Sequence, residues 1–69
     1  MAKWFVEYSI TEVDYLGNWV ERDGDKFFTL PVERLSLENI EAIIYNIADH
    51  EGVPSDDVAI DNIAKINTN

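Results

Sequence analysis

Apolar and polar residues alternate with period two from Lys3 to Val13. One set of alternate positions is wholly apolar or aromatic: Trp4, Val6, Tyr8 and Ile10. The other set, after Lys3, runs from Phe5 to Val13 and is polar between these two residues. Because most of these residues are β-branched or aromatic, the segment 3–13 is predicted to be a strand. Residues 14–18, which read DYLGN, predict a turn.

An Asp-Gly pair at positions 23 and 24 lies between two extended segments, residues 19–22 and 25–28. Asp-Gly in this setting favours a type I′ hairpin, because both central residues then need positive φ. The implied register gives two oppositely charged pairs and two apolar pairs: Arg22–Asp25, Glu21–Lys26, Val20–Phe27 and Trp19–Phe28. We therefore predict a three-stranded antiparallel meander that ends near Pro31.

The spacing of apolar residues becomes helical after Ser36. They recur three or four positions apart in the next segment: Leu37, Ile40, Ile43, Ile44, Ile47 and Ala48. Ser36 is a suitable N-cap, and Glu38 lies beside the positive end of the helix dipole. Gly52 is placed to end the helix, and Pro54 prevents its continuation. The pattern predicts a helix over residues 37–51.

The last segment fits two patterns. A strand is indicated by alternate residues: Val58, Ile60, Asn62, Ala64 and Ile66. A short helix capped by Ser55 is indicated by a second set: Ile60, Ile63, Ala64 and Asn67. We favour a strand over residues 58–66, because isoleucine and valine are frequent there. The predicted fold is α+β, a small antiparallel β-meander with one helix packed on one face in the order β-β-β-α-β, as a single domain of residues 1–69.

One helix can cover only one face of such a sheet. If Trp4 and its alternate neighbours meet the helix, Phe5 and Val13 point the other way. In the predicted hairpin, Val20 and Phe27 join that uncovered face. An apolar patch rimmed by charge is typical of an interaction site, so Phe5, Val20 and Phe27 are predicted to support self-association as a homodimer. The alternative is that these side chains lie singly or under the turn.

Charge narrows the possible partners. The chain holds 14 acids and 5 bases, with a net charge of −9 and no cysteine. Residues 36–69 contain seven acids and a single base, Lys65. The strands are expected to be nearly balanced, so the negative charge should lie on the helix and the loop after it. This excess disfavours direct binding to nucleic acid or to an anionic membrane, and it favours a basic protein surface as partner.

The predicted helix carries an acidic stripe centred on Tyr45. Asp49, near its C-terminal end, opposes the helix dipole, where a helix selected for stability alone would carry a base. We assign partner binding to this stripe and to two acids in the following loop: Glu38, Glu41, Tyr45, Asp49, Asp56 and Asp57. The alternative interpretation is a solvated acidic face.

The sequence gives little support for catalysis. His50 is the only histidine, and it would act as a base only if the fold brought a nucleophile to it. No nucleophile-elbow or phosphate-binding glycine motif is present, and residues 23–25 lack the twelve-residue pattern of a calcium loop. We predict no catalytic residue, no metal site and no cofactor.

The sequence therefore predicts a non-enzymatic acidic protein-binding module, with a cytoplasmic location. In size, acidity and lack of cysteine it is similar in type to small phage-encoded inhibitors, including proteins that mimic DNA. No motif places it in a named family. The alternative function is a homo-oligomeric structural or accessory domain that associates through the exposed sheet face.

Overall fold

The computed structural model describes residues 1–66. It contains strand β1 (Ala2–Val13), strand β2 (Trp19–Leu30), helix α1 (Leu37–Glu51), a single 3₁₀ turn (Ser55–Asp57) and strand β3 (Val58–Ile66). The strands form one antiparallel sheet in the order β2-β1-β3. The predicted fold class is confirmed, as is the position of the helix before the last strand.

The hairpin predicted at positions 23 and 24 is wrong. Strand β2 runs unbroken through these residues and pairs with all twelve residues of β1, from Ala2–Leu30 to Val13–Trp19. Gly24 has no positive φ, and it lies opposite Tyr8. A Cβ atom on this glycine would lie 2.7 Å from the tyrosine ring. The glycine therefore makes room for a ring rather than a turn, and two strands, not three, precede the helix.

The chain reverses at residues 14–18, as predicted. Asp14 Oδ1 accepts hydrogen bonds from the amides of Leu16 and Asn18, both at 2.9 Å. The amide of Asp14 donates to the Asn18 carbonyl at 2.8 Å, and Gly17 adopts a φ of 84°. One carboxylate and one glycine thus close the β1–β2 hairpin.

Helix α1 begins and ends where the sequence predicts. Ser36 Oγ accepts from the amide of Asn39, whose side chain accepts in return from the Ser36 amide at 2.9 Å. This arrangement is a capping box. Gly52 adopts a φ of 71°, and its amide and the following amide donate to the carbonyls of Asp49 and Ala48. That pair of bonds is a Schellman motif, which ends the helix.

The helix packs on the sheet face formed by the even-numbered residues of β1. The buried core combines residues from β1, α1 and β3: Val6, Tyr8, Ile10, Ile43, Ile47, Ala48 and Val58. Trp4 is buried on the same side, so the predicted helix-facing set of β1 is confirmed. We call this side the helix side of the sheet and the opposite side the open face.

Strand β3 contains a β-bulge. Ile60 and Asn62 pair with consecutive residues of β1, so Asp61 between them is unpaired. The extra residue shifts the alternation by one, and Ile63 rather than Asn62 then faces the helix side. The predicted strand is confirmed, but its alternate residues are divided between the two faces: Val58 and Ile60 lie on the helix side, and Asn62, Ala64 and Ile66 lie on the open face. Asn67, which belonged to the helical alternative, lies outside the described residues.

The two long strands extend beyond the rest of the fold. The structure measures 47 × 21 × 16 Å, whereas a helix of 15 residues is roughly 22 Å long. Strand β3 reaches only Ile10 of β1, and Glu51 at the helix end contacts Arg22 of β2. Residues 11–21 therefore project as a two-stranded ribbon past both the helix and β3.

Candidate functional site

Strand β2 separates its charges between the two faces of the sheet. Its bases point to the helix side, where Lys26 Nζ donates to Asn46 Oδ1 at 2.8 Å and Arg22 lies 3.1 Å from Glu51. Its acids occupy the intervening positions, which belong to the open face: Glu21, Asp23 and Asp25. Both bases of β2 therefore lie on the helix side, where Arg22 pairs with a carboxylate and Lys26 bonds to an amide, and the three carboxylates remain on the open face.

Two more carboxylates join them from the other strands. Glu7 of β1 lies directly opposite Asp25 and accepts a hydrogen bond from Asn62 at 3.2 Å. Asp61, the bulge residue of β3, accepts from Ser9 Oγ at 3.2 Å, which places its carboxylate on the same face. We call the resulting group the acidic face cluster: Glu7, Glu21, Asp23, Asp25 and Asp61.

The acidic face cluster concentrates negative charge on one face of the sheet. Alternate residues of a strand are roughly 6.7 Å apart and neighbouring strands about 4.8 Å apart, so each charge lies within about one Debye length, roughly 8 Å at physiological salt, of its nearest neighbour in the cluster. Among the described residues, no base forms an ion pair with Glu21, Asp23 or Asp25. Lys3 lies on the open face, but its ammonium sits 4.9 Å from the ring centroid of Phe27.

The charge pairs predicted within the hairpin are wrong, because the bases and acids of β2 lie on different faces of the sheet. The predicted pairs Arg22–Asp25 and Glu21–Lys26 are not formed, because in a continuous strand their members lie on opposite faces. Arg22 instead pairs with Glu12 at 3.0 Å. The signal was present in the sequence, since acids at 21, 23 and 25 alternate with bases at 22 and 26. It becomes visible only when residues 19–30 are treated as one strand.

Two of the three residues predicted to support self-association lie together. The rings of Phe5 and Phe27 pack on the open face with centroids 5.0 Å apart, and Phe27 is 53% exposed. Val20 is wrongly placed by the prediction, because it lies on the helix side of β2. Trp19 takes its place on the open face, opposite Val13. The acidic face cluster thus divides the apolar residues of this face into two groups.

The residues predicted for partner binding on the helix are exposed. Glu41 and Tyr45 line a groove of about 240 Å³ between α1 and the 3₁₀ turn, together with Asp56. We call this the helix-edge groove, with its full lining Glu41, Ile44, Tyr45, Ser55 and Asp56. The structure therefore brings together three of the six predicted residues, two carboxylates beside an aromatic ring.

The other three lie outside the helix-edge groove. Glu38 and Asp49 are exposed on α1, toward its two ends. Asp57 belongs to the 3₁₀ turn, where its amide donates to the Pro54 carbonyl at 3.0 Å. The predicted stripe is thus a surface of α1, and only its middle forms a concave site.

A polar network joins the end of the helix to the base of the ribbon. The Tyr8 hydroxyl donates to Glu51 at 2.6 Å, and Arg22 donates to both Glu51 and Glu12. Burial and the hydrogen bond to Glu51 raise the pKa of Tyr8 to about 12. The hydrogen bonds from Tyr8 and Arg22 lower the pKa of Glu51 below its usual value. Each of these polar groups has a partner, so the network is a structural connection.

The described residues offer few side chains for catalysis or metal binding. His50 is exposed, its side chain makes no hydrogen bond within residues 1–66, and it does not line the helix-edge groove. The described part of the chain contains no group of three histidine, cysteine or acidic side chains close enough to hold a metal ion. No helix within it has the length and apolar character needed to cross a membrane.

Comparisons with protein-family models, curated proteins and solved structures gave no match. The function is therefore inferred from the surfaces of the chain itself.

Proposed function

We propose that this protein is a non-enzymatic, acidic protein-binding module that engages a basic protein surface. The observation that carries the proposal is the acidic face cluster on the open face of the sheet. Glu7 lies directly opposite Asp25, an arrangement of like charges that destabilises a sheet. A partner that supplies lysine or arginine to this face would compensate the repulsion.

The specific form of the proposal is a DNA mimic, an inhibitor of the type encoded by phages. Carboxylates and phosphates both form charge-assisted hydrogen bonds with arginine and lysine. A sheet holds these carboxylates on a fixed framework, so a nucleic-acid-binding surface is the class of partner that fits best. A cytoplasmic location is part of this proposal, because the chain has no cysteine and such partners act inside the cell.

The helix-edge groove is the competing contact surface on the same chain. Glu41 and Asp56 flank Tyr45 there, a setting in which a cationic head group and its apolar stem can both find contacts. The groove is small, whereas the acidic face cluster spans three strands. We therefore assign the main contact to the open face.

The test uses the full chain immobilised as bait in a cell lysate at low salt. Two variants remove the same number of charges from different surfaces: Glu21→Gln/Asp23→Asn/Asp25→Asn on the open face and Glu38→Gln/Glu41→Gln/Asp49→Asn on the helix. We expect a basic protein to be retained, to dissociate as salt rises and to be lost with the open-face variant only. Loss with the helix variant alone, or no basic protein retained, would contradict the proposal.

Competition with double-stranded DNA tests the mimic itself. We expect DNA to displace the retained protein from the bait, because both would occupy one site. If the partner binds DNA and the bait at the same time, the chain is not a DNA mimic. The proposal of a basic protein partner would still stand.

Self-association is the second candidate function, and the Phe5–Phe27 pair favours it, because the Phe27 ring is exposed beside the half-buried Phe5. Sedimentation velocity over a range of concentrations measures it directly. Phe27→Lys should convert a dimer formed through this pair into a monomer. Thr29→Lys adds the same charge on the same face and serves as the control. A monomer at every concentration would contradict this candidate.

A further inference from the structure

The end of the ribbon concentrates exposed apolar side chains. We call residues 13–20 the hairpin tip. Five of the nine exposed large hydrophobic residues of the described chain belong to it: Val13, Tyr15, Leu16, Trp19 and Val20. Tyr15 is 94% exposed and Trp19 is 71% exposed. An apolar group of this kind at the surface typically marks a binding site.

The hairpin tip is held in one shape by its own hydrogen bonds. Asp14 accepts from two amides of the turn, and Gly17 supplies the positive φ that the turn needs. Below the turn, the β1–β2 ladder continues without interruption, and the Arg22–Glu12 ion pair ties the two strands on the helix side. A preorganised tip loses less conformational entropy on binding than a flexible loop does.

We propose that the hairpin tip is an apolar anchor that inserts Trp19 and its neighbours into an apolar pocket on the basic protein partner. This inference rests on the proposed function, because the acidic face cluster leads directly into the tip. Glu21 and Trp19 are alternate residues of β2 and so share the open face. The partner is therefore a protein whose apolar pocket is bordered on one side by lysine or arginine.

Charge favours this occupant over the other candidates for the hairpin tip. A second copy of the chain would bring the same five carboxylates alongside, and like charges across an interface oppose association. An anionic bilayer would be repelled for the same reason. A basic protein gains from both the apolar anchor and the carboxylates.

The test places a photo-crosslinking amino acid at Leu16 of the full chain. After irradiation in lysate at low salt, mass spectrometry identifies the crosslinked peptide of the basic protein. We expect apolar residues close to lysine or arginine. Trp19→Ser should weaken binding of that protein by at least about thirtyfold, as for a central interface residue, without changing its salt dependence. Leu37→Ser, an exposed leucine on the helix, is the matched control and should change binding less than twofold.

Other outcomes overturn the inference. Crosslinks found only to second copies of the chain would assign the tip to self-association. If the chain binds phosphatidylserine vesicles and Trp19→Ser abolishes that binding, the tip would be assigned to a membrane. If Trp19→Ser binds the partner as tightly as the unchanged chain does, the hairpin tip is not an anchor. If the open-face variant still fails to bind in the same assay, the proposed function survives this result. Tyr15→Ser, outside the β-ladder, repeats the measurement if Trp19→Ser disturbs folding.

Discussion

Gly24 and Tyr8 share a space on the helix side that only one of them can fill. The ring of Tyr8 lies where a side chain at position 24 would begin, and its hydroxyl is fixed by Glu51. Asp-Gly is a turn signal when its neighbours along the chain are considered alone. The residue that decides its conformation is sixteen positions away, which is why local sequence predicted a hairpin and the sheet contains a continuous strand.

Gly24→Ala should destabilise the protein by about 1–3 kcal/mol, because the added Cβ overpacks against the fixed Tyr8 ring. Urea unfolding followed by circular dichroism measures the change. Asp23→Ala is the control, since its side chain lies on the open face away from the ring. Similar stability of the alanine variant at position 24 and the unchanged protein would show that the ring does not confine this position.

Tyr8→Phe should lower the free energy of unfolding by about 1–2 kcal/mol at neutral pH, because Tyr8 no longer donates to the Glu51 carboxylate. The same variant should change the pH dependence. Folding raises the pKa of Tyr8 from 10.0 to about 12, so its contribution is complete below pH 10 and is lost as pH rises toward 12.

The measurement is urea unfolding from pH 8 to pH 11.5 for both proteins. The stability difference between them should shrink above pH 10. Glu51 gives the opposite pH dependence. Folding lowers its pKa, so its contribution to stability is complete at neutral pH and is lost as the pH falls through the pKa of Glu51 in the folded protein. A constant difference between the two proteins across the alkaline range would contradict the assigned hydrogen bond.

At the scale of elements, the parts of the fold that depend on neighbours along the chain were predictable. Ser36 and Gly52 bound the helix, and residues 14–18 form the turn, because caps and turns use local hydrogen bonds. The faces on which the β2 side chains lie could not be predicted in this way, because they depend on the pairing of β2 with β1. The bulge at Asp61 likewise arises from a cross-strand register that no periodicity in β3 alone reveals.

Asp14→Ala should loosen the ribbon while leaving the core intact. The turn loses an acceptor for the amides of Leu16 and Asn18, and residues 11–21 project past the helix and β3. Hydrogen exchange should therefore accelerate within the ribbon, whereas the amide of Ile47 in the helix should keep its protection. Asp14→Asn retains a side-chain oxygen acceptor and should exchange nearly as the unchanged protein does. Uniform acceleration throughout the chain would mean that the ribbon unfolds only with the core.

On the scale of the whole molecule, the fold rather than the order of residues decides on which surface each charge lies. The net charge is −9. The helix and the following loop carry acids, as the sequence indicated, but the open face carries five more. Bases from β2 and β3 lie on the helix side, where Arg22 and Lys65 form ion pairs. Two acidic surfaces therefore lie on opposite sides of one small sheet, and the sequence pointed to only one of them.

The open-face variant Glu21→Gln/Asp23→Asn/Asp25→Asn should be more stable than the unchanged protein at low salt, by about 0.5–1 kcal/mol. It removes like charges from neighbouring positions on the sheet, including the acid directly opposite Glu7. Because salt screens this repulsion, the gain should shrink as ionic strength rises. Urea unfolding at several concentrations of sodium chloride measures both effects. A variant that is stabilised yet no longer binds its partner would show that these acids are retained for recognition at the expense of stability. A variant that is less stable at low salt would instead show that these carboxylates stabilise the fold, and their mutual repulsion would then no longer support a basic partner.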